Sequence, residues 1–487
     1  MVLRVAATAV AGLLGAFQAR SPGSSGRLAI ASQDSTCLAQ GIARAQRLIA
    51  THRDLLDIPG MQVAAARDGK LLWSQSWGYA DLEHRTPVSR LTSFRIASLS
   101  KSLTSAGMML LAQEGRLDLD APIQRYVPSF PVKRWVVTAR QLAGNIAGVR
   151  HYRDAEEASN LRHFATVTDA LSPFRNDSLL FEPGTRIEYS SPSYVLLSAA
   201  IEAASGRSYL DFMRERLFQP LGMDGTGADH PDSIVPHRSR SYVEDPAGNR
   251  ANAPFIDPSS KWASGGLVST SEDLVRFGMA LLKGSPLTPA SVERLFTPMT
   301  LRDGRSTGYG MGWDIRRDGA GRRVIAHDGS LPSARALLVL YPDQRLVLAL
   351  LMNTGQSVFL NQTEAMYLAE QFLDIPCTTL PGRGSATDLA GTYAYDIDRF
   401  DGAPVSGTIQ LYRSSGAYRG TITVPNSFYG HRPMPIPSIT LHSDRLEMVG
   451  ILNGNWIRLS LSRAEPVTGS WVFGSESGLL KNVRRLR

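Results

Sequence analysis

The 487-residue sequence holds two cysteines, Cys37 and Cys377, which excludes a disulfide-dense scaffold, a CxxC redox pair and any cysteine-based zinc spacing. Its nine histidines include no HExxH and no pair at i, i+4, so the sequence makes no case for a metal site. Charged residues are sparse at 20%, and the 52 basic and 44 acidic side chains are spread along the chain without blocks. That argues against nucleic acid as a partner. Internal repeats and low-complexity tracts are missing as well. What is present, 43% hydrophobic residues, is the composition of a globular chain, and at ~150 residues per domain the length exceeds what one core holds.

The amino terminus reads as a targeting segment. Residues 5–17 are an uncharged run behind Arg4, and Ala29-Ile30-Ala31 offers a small-residue cleavage site, so residues 1–31 are expected to be an export signal of a secreted or periplasmic protein. A mitochondrial transit peptide is the alternative, because Arg4, Arg20 and Arg27 come with several serines and no acidic residue before Asp34. The run is too short for a membrane span, and no stable span is expected once it is removed.

Apolar spacing predicts helices over 37–52, 98–114, 194–205, 272–282 and 363–373. Strands 61–66 and 70–77 flank Asp68-Gly69, a tight-hairpin signal, and apolar strands 324–327, 334–341 and 345–353 follow the helical middle. Strands at both ends of a helical stretch imply an α/β unit over 37–377, one antiparallel sheet with an α lobe inserted. A Gly- and Pro-rich linker is expected at 378–388. Short β-rich runs through 389–487, with Asn453-Gly454 as a hairpin turn, predict a small all-β barrel or sandwich.

One local pattern carries chemistry: Ser98-Leu99-Ser100-Lys101 at the head of an apolar helix. Residues i and i+3 share a helix face, which sets the Lys101 amine beside the Ser98 hydroxyl. Burial and the positive helix end both disfavour the ammonium form and ready the amine as a base. Tyr189-Ser190-Ser191 ahead of a helix and His327-Asp328-Gly329-Ser330 at a strand end follow in order. A rival nucleophile, Ser306 in Gly304-Arg305-Ser306-Thr307-Gly308, matches G-x-S-x-G but lacks the apolar strand before it and the helix after it.

The three ordered motifs resemble the serine β-lactamase and penicillin-binding protein superfamily, with its S-x-x-K, Y-x-N and K-T-G or H-T-G. The likeness spans roughly residues 40 to 375 and is closest to class C β-lactamase-like hydrolases. The stretches 138–142, 148–152, 209–211 and 261–266 look like the mitochondrial serine β-lactamase-like branch and its bacterial kin. The resemblance implies a β-lactamase/transpeptidase fold; the β-rich C-terminal unit outside it is expected to be a lipocalin-like domain that shapes the cleft mouth. It implies a serine hydrolase needing no cofactor, acting on a peptide or small-molecule substrate, and it leaves the oligomeric state open.

By the same resemblance Ser98 is the nucleophile, Lys101 the base and Tyr189 the proton exchanger. His327 offers a cation or hydrogen bond to a substrate carboxylate. The backbone N–H groups of Ser98 and Ser330 form the oxyanion hole, and Gly329 leaves room for substrate. Two departures, Ser191 for the asparagine of Y-x-N and Asp328 for the threonine of the third motif, argue for peptidase, amidase or esterase chemistry ahead of a true β-lactamase or D,D-carboxypeptidase. A catalytically silent binding protein of the same fold is the reading from another class. His151 and Tyr152 are candidates for the pocket wall. In the implied fold the first and last helices pack side by side, which makes Cys37 and Cys377 a disulfide candidate; two unpaired thiols are the alternative.

Overall fold

The computed structural model describes residues 25–486 apart from 160, 246–247, 319, 356–361, 374–387, 399–403, 415–416, 424–432, 442–444, 453–454, 464–466 and 474–475. Residues 1–24 of the expected signal, residues 378–387 of the linker, the Asn453-Gly454 turn and Cys377 lie outside them.

Seven antiparallel strands form the central sheet: β1 (Gly60–Arg67), β2 (Lys70–Asp81), β3 (Thr86–Pro87), β4 (Asp314–Arg317), β5 (Arg323–Leu331), β6 (Ala334–Tyr341) and β7 (Leu346–Met352). Their spatial order is β3-β2-β1-β7-β6-β5-β4, so the first and last strands of this sheet in the sequence meet where β1 pairs with β7, Met61 opposite Met352. Asp68 and Gly69 both take positive φ, 52° and 77°, as a two-residue hairpin of the β1–β2 type requires. Strand β7 is buried along its whole length, and its alternation assigns each residue to a layer. Leu346, Leu348, Leu350 and Met352 face the helices α1 (Ser25–Leu55) and α5 (Gln362–Leu373), while Val347, Ala349 and Leu351 face the helical lobe.

That lobe contains α2 (Ser100–Gln113), α3 (Ser191–Ser205) and α4 (Ser271–Lys283). Helix α4 lies close on the sheet through Gly278, where a Cβ would stand 2.6 Å from a Val347 methyl. On the opposite face Gly41 of α1 sits against the Gln371 carbonyl of α5, and Arg44 Nε donates to Gln371 Oε1 at 2.9 Å. Cys37, one turn before Gly41, is buried.

Among the described residues, nine antiparallel strands between Gly391 and Leu486 build the C-terminal unit around its own core of Leu389, Tyr393, Tyr395, Ile409, Leu459 and Leu461. Among its described residues the contacts are with the helix layer, not with the cleft mouth where it was expected. Its Val449 joins the core under α1 and α5, Arg458 pairs with Glu370 of α5, and Arg47 Nε donates to the Pro437 carbonyl at 3.4 Å. The reason is apolar and ionic surface on the helix layer, behind the sheet, that the unit covers. Among the described residues none beyond Pro332 lines the cleft.

Candidate active site

Ser98 sits on a single 3₁₀ turn, Ala97–Leu99, ahead of α2, so the helix predicted from residue 98 is split. The chain is held there from both sides. Phe94 and Arg95 pair with Ser269 and Val268, and the Ile96 N–H donates to Leu267 O at 3.0 Å. From the sheet, β5 comes so near that a Cβ on Gly329 would meet the Ile96 carbonyl oxygen at 2.0 Å. Ala97, between these anchors, is forced to φ 46°, a left-handed backbone that costs an alanine roughly 1 kcal/mol or more. It presents Ser98, half-buried, to the cleft.

Lys101 lies one turn on with 0% exposure. Its Nζ donates to Ser264 O at 2.7 Å and lies 3.1 Å from both Ser98 Oγ and Ser191 Oγ. Among the described residues no carboxylate forms an ion pair with it. Burial pushes its pKa well below 10.5, against a partial offset from Asp328. The Ser264 carbonyl can only accept, so one N–H is committed there; a neutral amine then keeps its lone pair for a serine hydroxyl.

Tyr189 hydrogen-bonds Ser98, and its ring lies 4.7 Å from Lys101 Nζ. Though the residue is 38% exposed through the cleft, burial raises the pKa of its hydroxyl. Asn145, which sequence reasoning passed over, brackets it. The Glu188 N–H donates to Asn145 O at 2.9 Å and the Ser190 N–H to Asn145 Oδ1 at 3.1 Å. Asn145 has φ 57° and is 2% exposed. The Ser190 hydroxyl caps α3 by accepting from the Ser193 N–H at 3.1 Å. Ser191 keeps a contact to Lys101 despite the missing amide and hydrogen-bonds Tyr152, which also bonds Ser264. The Ser191 N–H donates to His151 Nδ1 at 3.2 Å, so both wall candidates belong to the cleft.

Strand β4 stops pairing with β5 at Ala326, which frees one edge of β5 from His327 onward. His327 is buried, with Nδ1 2.6 Å from the Asp328 carbonyl and Nε2 3.1 Å from the Tyr309 hydroxyl. The carbonyl can only accept, so Nδ1 carries the proton and Nε2 receives the Tyr309 O–H. Burial lowers its pKa, with Asp328 and Asp314 working against that. Of the expected cation or hydrogen bond, the lowered pKa favours a neutral imidazole, with both nitrogens engaged. Ser98, Tyr189, Ser191, His327, Asp328 and Ser330 line one cleft of about 630 Å³. Lys101 adjoins it through Ser98 and Ser191, and Gly329 lies between the lining residues Asp328 and Ser330. Ser306 is on an exposed loop. Outside the cleft, Asp81, Glu83 and His84 cluster within reach of a cation, but Arg240 already pairs with Asp81 and Glu83 at 3.1 and 3.3 Å.

A serine beside a buried amine, on a sheet-and-helix fold open at one strand edge, defines a penicillin-binding-protein-like serine hydrolase. The chain belongs to the beta-lactamase family, whose model matches residues 45–372. It is 29% identical to the human mitochondrial serine beta-lactamase-like protein LACTB, covering 69% of this chain and 81% of that one. It is 30% identical to penicillin-binding protein 4* of Bacillus subtilis, covering 67% and 76%, and 29% identical to a D-aminopeptidase of Brucella anthropi, covering 59% and 55%. Among solved structures, an octameric penicillin-binding protein homologue from Pyrococcus abyssi shares the fold with a TM-score of 0.60 at 21% identity, over 90% of this chain and 100% of that one.

Proposed function

We propose that this hydrolase cleaves amide or ester bonds by double displacement through an acyl-enzyme on Ser98. Ser98 Oγ attacks the substrate carbonyl while its proton passes to Lys101 or, through Tyr189, toward the leaving group. The N–H groups of Ser98 and Ser330 hold the oxyanion. Tyr189 protonates the departing amine or alkoxide, and water releases the acyl group by the reverse path. The observation that carries this reading is Lys101, sealed without an ion-pair partner among the described residues and 3.1 Å from Ser98 Oγ.

Peptidase, amidase or esterase chemistry ranks ahead of β-lactam hydrolysis in this reading. Asp328 lines the cleft where the resemblance places a β-lactam carboxylate, and His327 is neutral there. The D-aminopeptidase relative supports an amide substrate. A panel of p-nitrophenyl esters, D-amino-acid amides and nitrocefin, run beside Ser98→Ala, tests it. Turnover of an ester or amide that Ser98→Ala abolishes supports the reading; nitrocefin as the fastest Ser98-dependent substrate overturns the ranking.

The finer assignments are part of the same proposal: a targeting segment at 1–31, the class C-like catalytic unit at 37–377, a linker at 378–388 and the β unit at 389–487. No helix among the described residues is long and apolar enough to cross a membrane. Export fits the uncharged run at 5–17, and the mitochondrial address in the human relative's name fits the alternative. The Cys37–Cys377 staple is supported by the close approach of α1 and α5 at Gly41 and Gln371, six residues short of Cys377. Intact mass with and without reductant and alkylation checks it.

A further inference from the structure

The cleft holds a second sheltered amine that the acyl-transfer steps leave unused. Lys261, just before the helical turn Trp262–Gly265, lines the cleft with 4% exposure. Its Nζ donates to the Ala158 carbonyl and lies 5.2 Å from the Tyr152 ring centroid. An ammonium has three N–H donors, and among the described residues no carboxylate pairs with this one. Burying a cation without a counter-charge is costly. Desolvation accordingly lowers the Lys261 pKa to about 8, with the Arg95 charge adding to the effect.

The negative groups of the cleft stand elsewhere. Asp328 and Asp314 act on His327, and Asp328 on Lys101, which places them on the β5 side of Ser98. Neither is among the charges that act on Lys261. Arg316, the other cation lining the cleft, is half-exposed and has Asp314 at 3.6 Å. With His327 neutral and tied at both nitrogens, the cation facing the cleft without a carboxylate partner among the described residues is Lys261. A substrate anion would complete its coordination and be kept from Asp328.

Resting on the acyl-enzyme reading above, we propose that Lys261 is a specificity-determining residue that binds an anionic group, a carboxylate or its equivalent, carried by the substrate. Carboxylate recognition is thereby moved from the third-motif strand to Lys261, ahead of the turn Trp262–Gly265.

The test compares kcat/KM for matched charged and neutral substrates in the full chain. One arm carries the anion in the acyl part, the p-nitrophenyl monoester of glutarate against that of pentanoate. The other carries it in the leaving part, a peptide with a free C-terminal carboxylate against its amide. The wild type is expected to favour the anionic member about tenfold or more in one arm, and Lys261→Gln to reduce that ratio at least tenfold while Arg316→Gln preserves it. No anionic preference in either arm, a ratio unchanged in Lys261→Gln, or a ratio lost in Arg316→Gln instead overturns the proposal. Should Lys261→Gln not fold, the wild-type ratios alone decide, equal or inverted ratios in both arms overturning it. Ser98→Ala is assayed alongside: turnover that survives in it sinks the nucleophile assignment, whereas Ser98-dependent turnover without charge preference sinks only the role of Lys261.

Discussion

A lysine closed off from water between two serine hydroxyls and a carbonyl works as a base only in its neutral form, and burial supplies that form well below pH 10.5. kcat/KM is therefore expected to rise with pH and level off as Lys101 loses its proton, with a midpoint well under 10.5. Lys101→Met is expected to lower kcat/KM by roughly 10² to 10⁴ and to remove that limb from the pH profile. Asn145 acts one step away: it fixes the backbone on both sides of Tyr189 and touches no reacting atom. Asn145→Ala is expected to lower kcat by up to about 100-fold through misplacement of Tyr189, with KM little changed. Asn145→Asp, which keeps the acceptor for Ser190, should recover part of it. Sequence reasoning reached Ser98, Lys101, Tyr189 and His327 because each belongs to a short motif with its own chemistry. Asn145 and Tyr309 carry no such signal. Their importance comes from a left-handed backbone 44 residues before Tyr189 and from a hydroxyl that meets His327 only when the sheet edge is assembled.

At the scale of elements, the decisive contact is strand β5 against the Ser98 turn. Gly329 permits it, since a side chain there would drive into the Ile96 carbonyl. Gly329→Val is expected to push the strand from the turn, cost about 1–3 kcal/mol in stability and reduce turnover at least tenfold. Urea unfolding and steady-state kinetics on one preparation check both. Strand and helix spans were largely readable from periodicity: β6 falls on 334–341 as predicted, and α4 extends the expected 272–282 by one residue at each end. The split of the nucleophile helix was not readable. Nothing in the composition of residues 94–101 reveals that two neighbouring segments force Ala97 to positive φ.

For the whole molecule, the sheet separates chemistry on one face from support on the other. On the support face His52, 1% exposed in α1, is held neutral by burial, its pKa depressed to about 3. The unfolded chain takes up that proton near pH 6.5, so stability is expected to fall as pH drops below 6.5, by about 1.4 kcal/mol per pH unit from this group. His52→Phe should flatten the slope between pH 6 and 4 in denaturant titrations. The domain plan, a discontinuous α/β unit followed by a β appendage, could be read from alternating composition and motif order. The docking side of the appendage could not, because it depends on Val449 and Arg458 meeting a helix face more than 75 residues away. All of this scaffolding serves one claim, that Ser98 carries the acyl group. Peptide mapping by mass spectrometry after reaction with a fluorophosphonate measures it directly. A single adduct on Ser98, slowed at least 100-fold in Lys101→Met, is the predicted result; an adduct on Ser306 or another residue, or none on Ser98 at any pH, would contradict it.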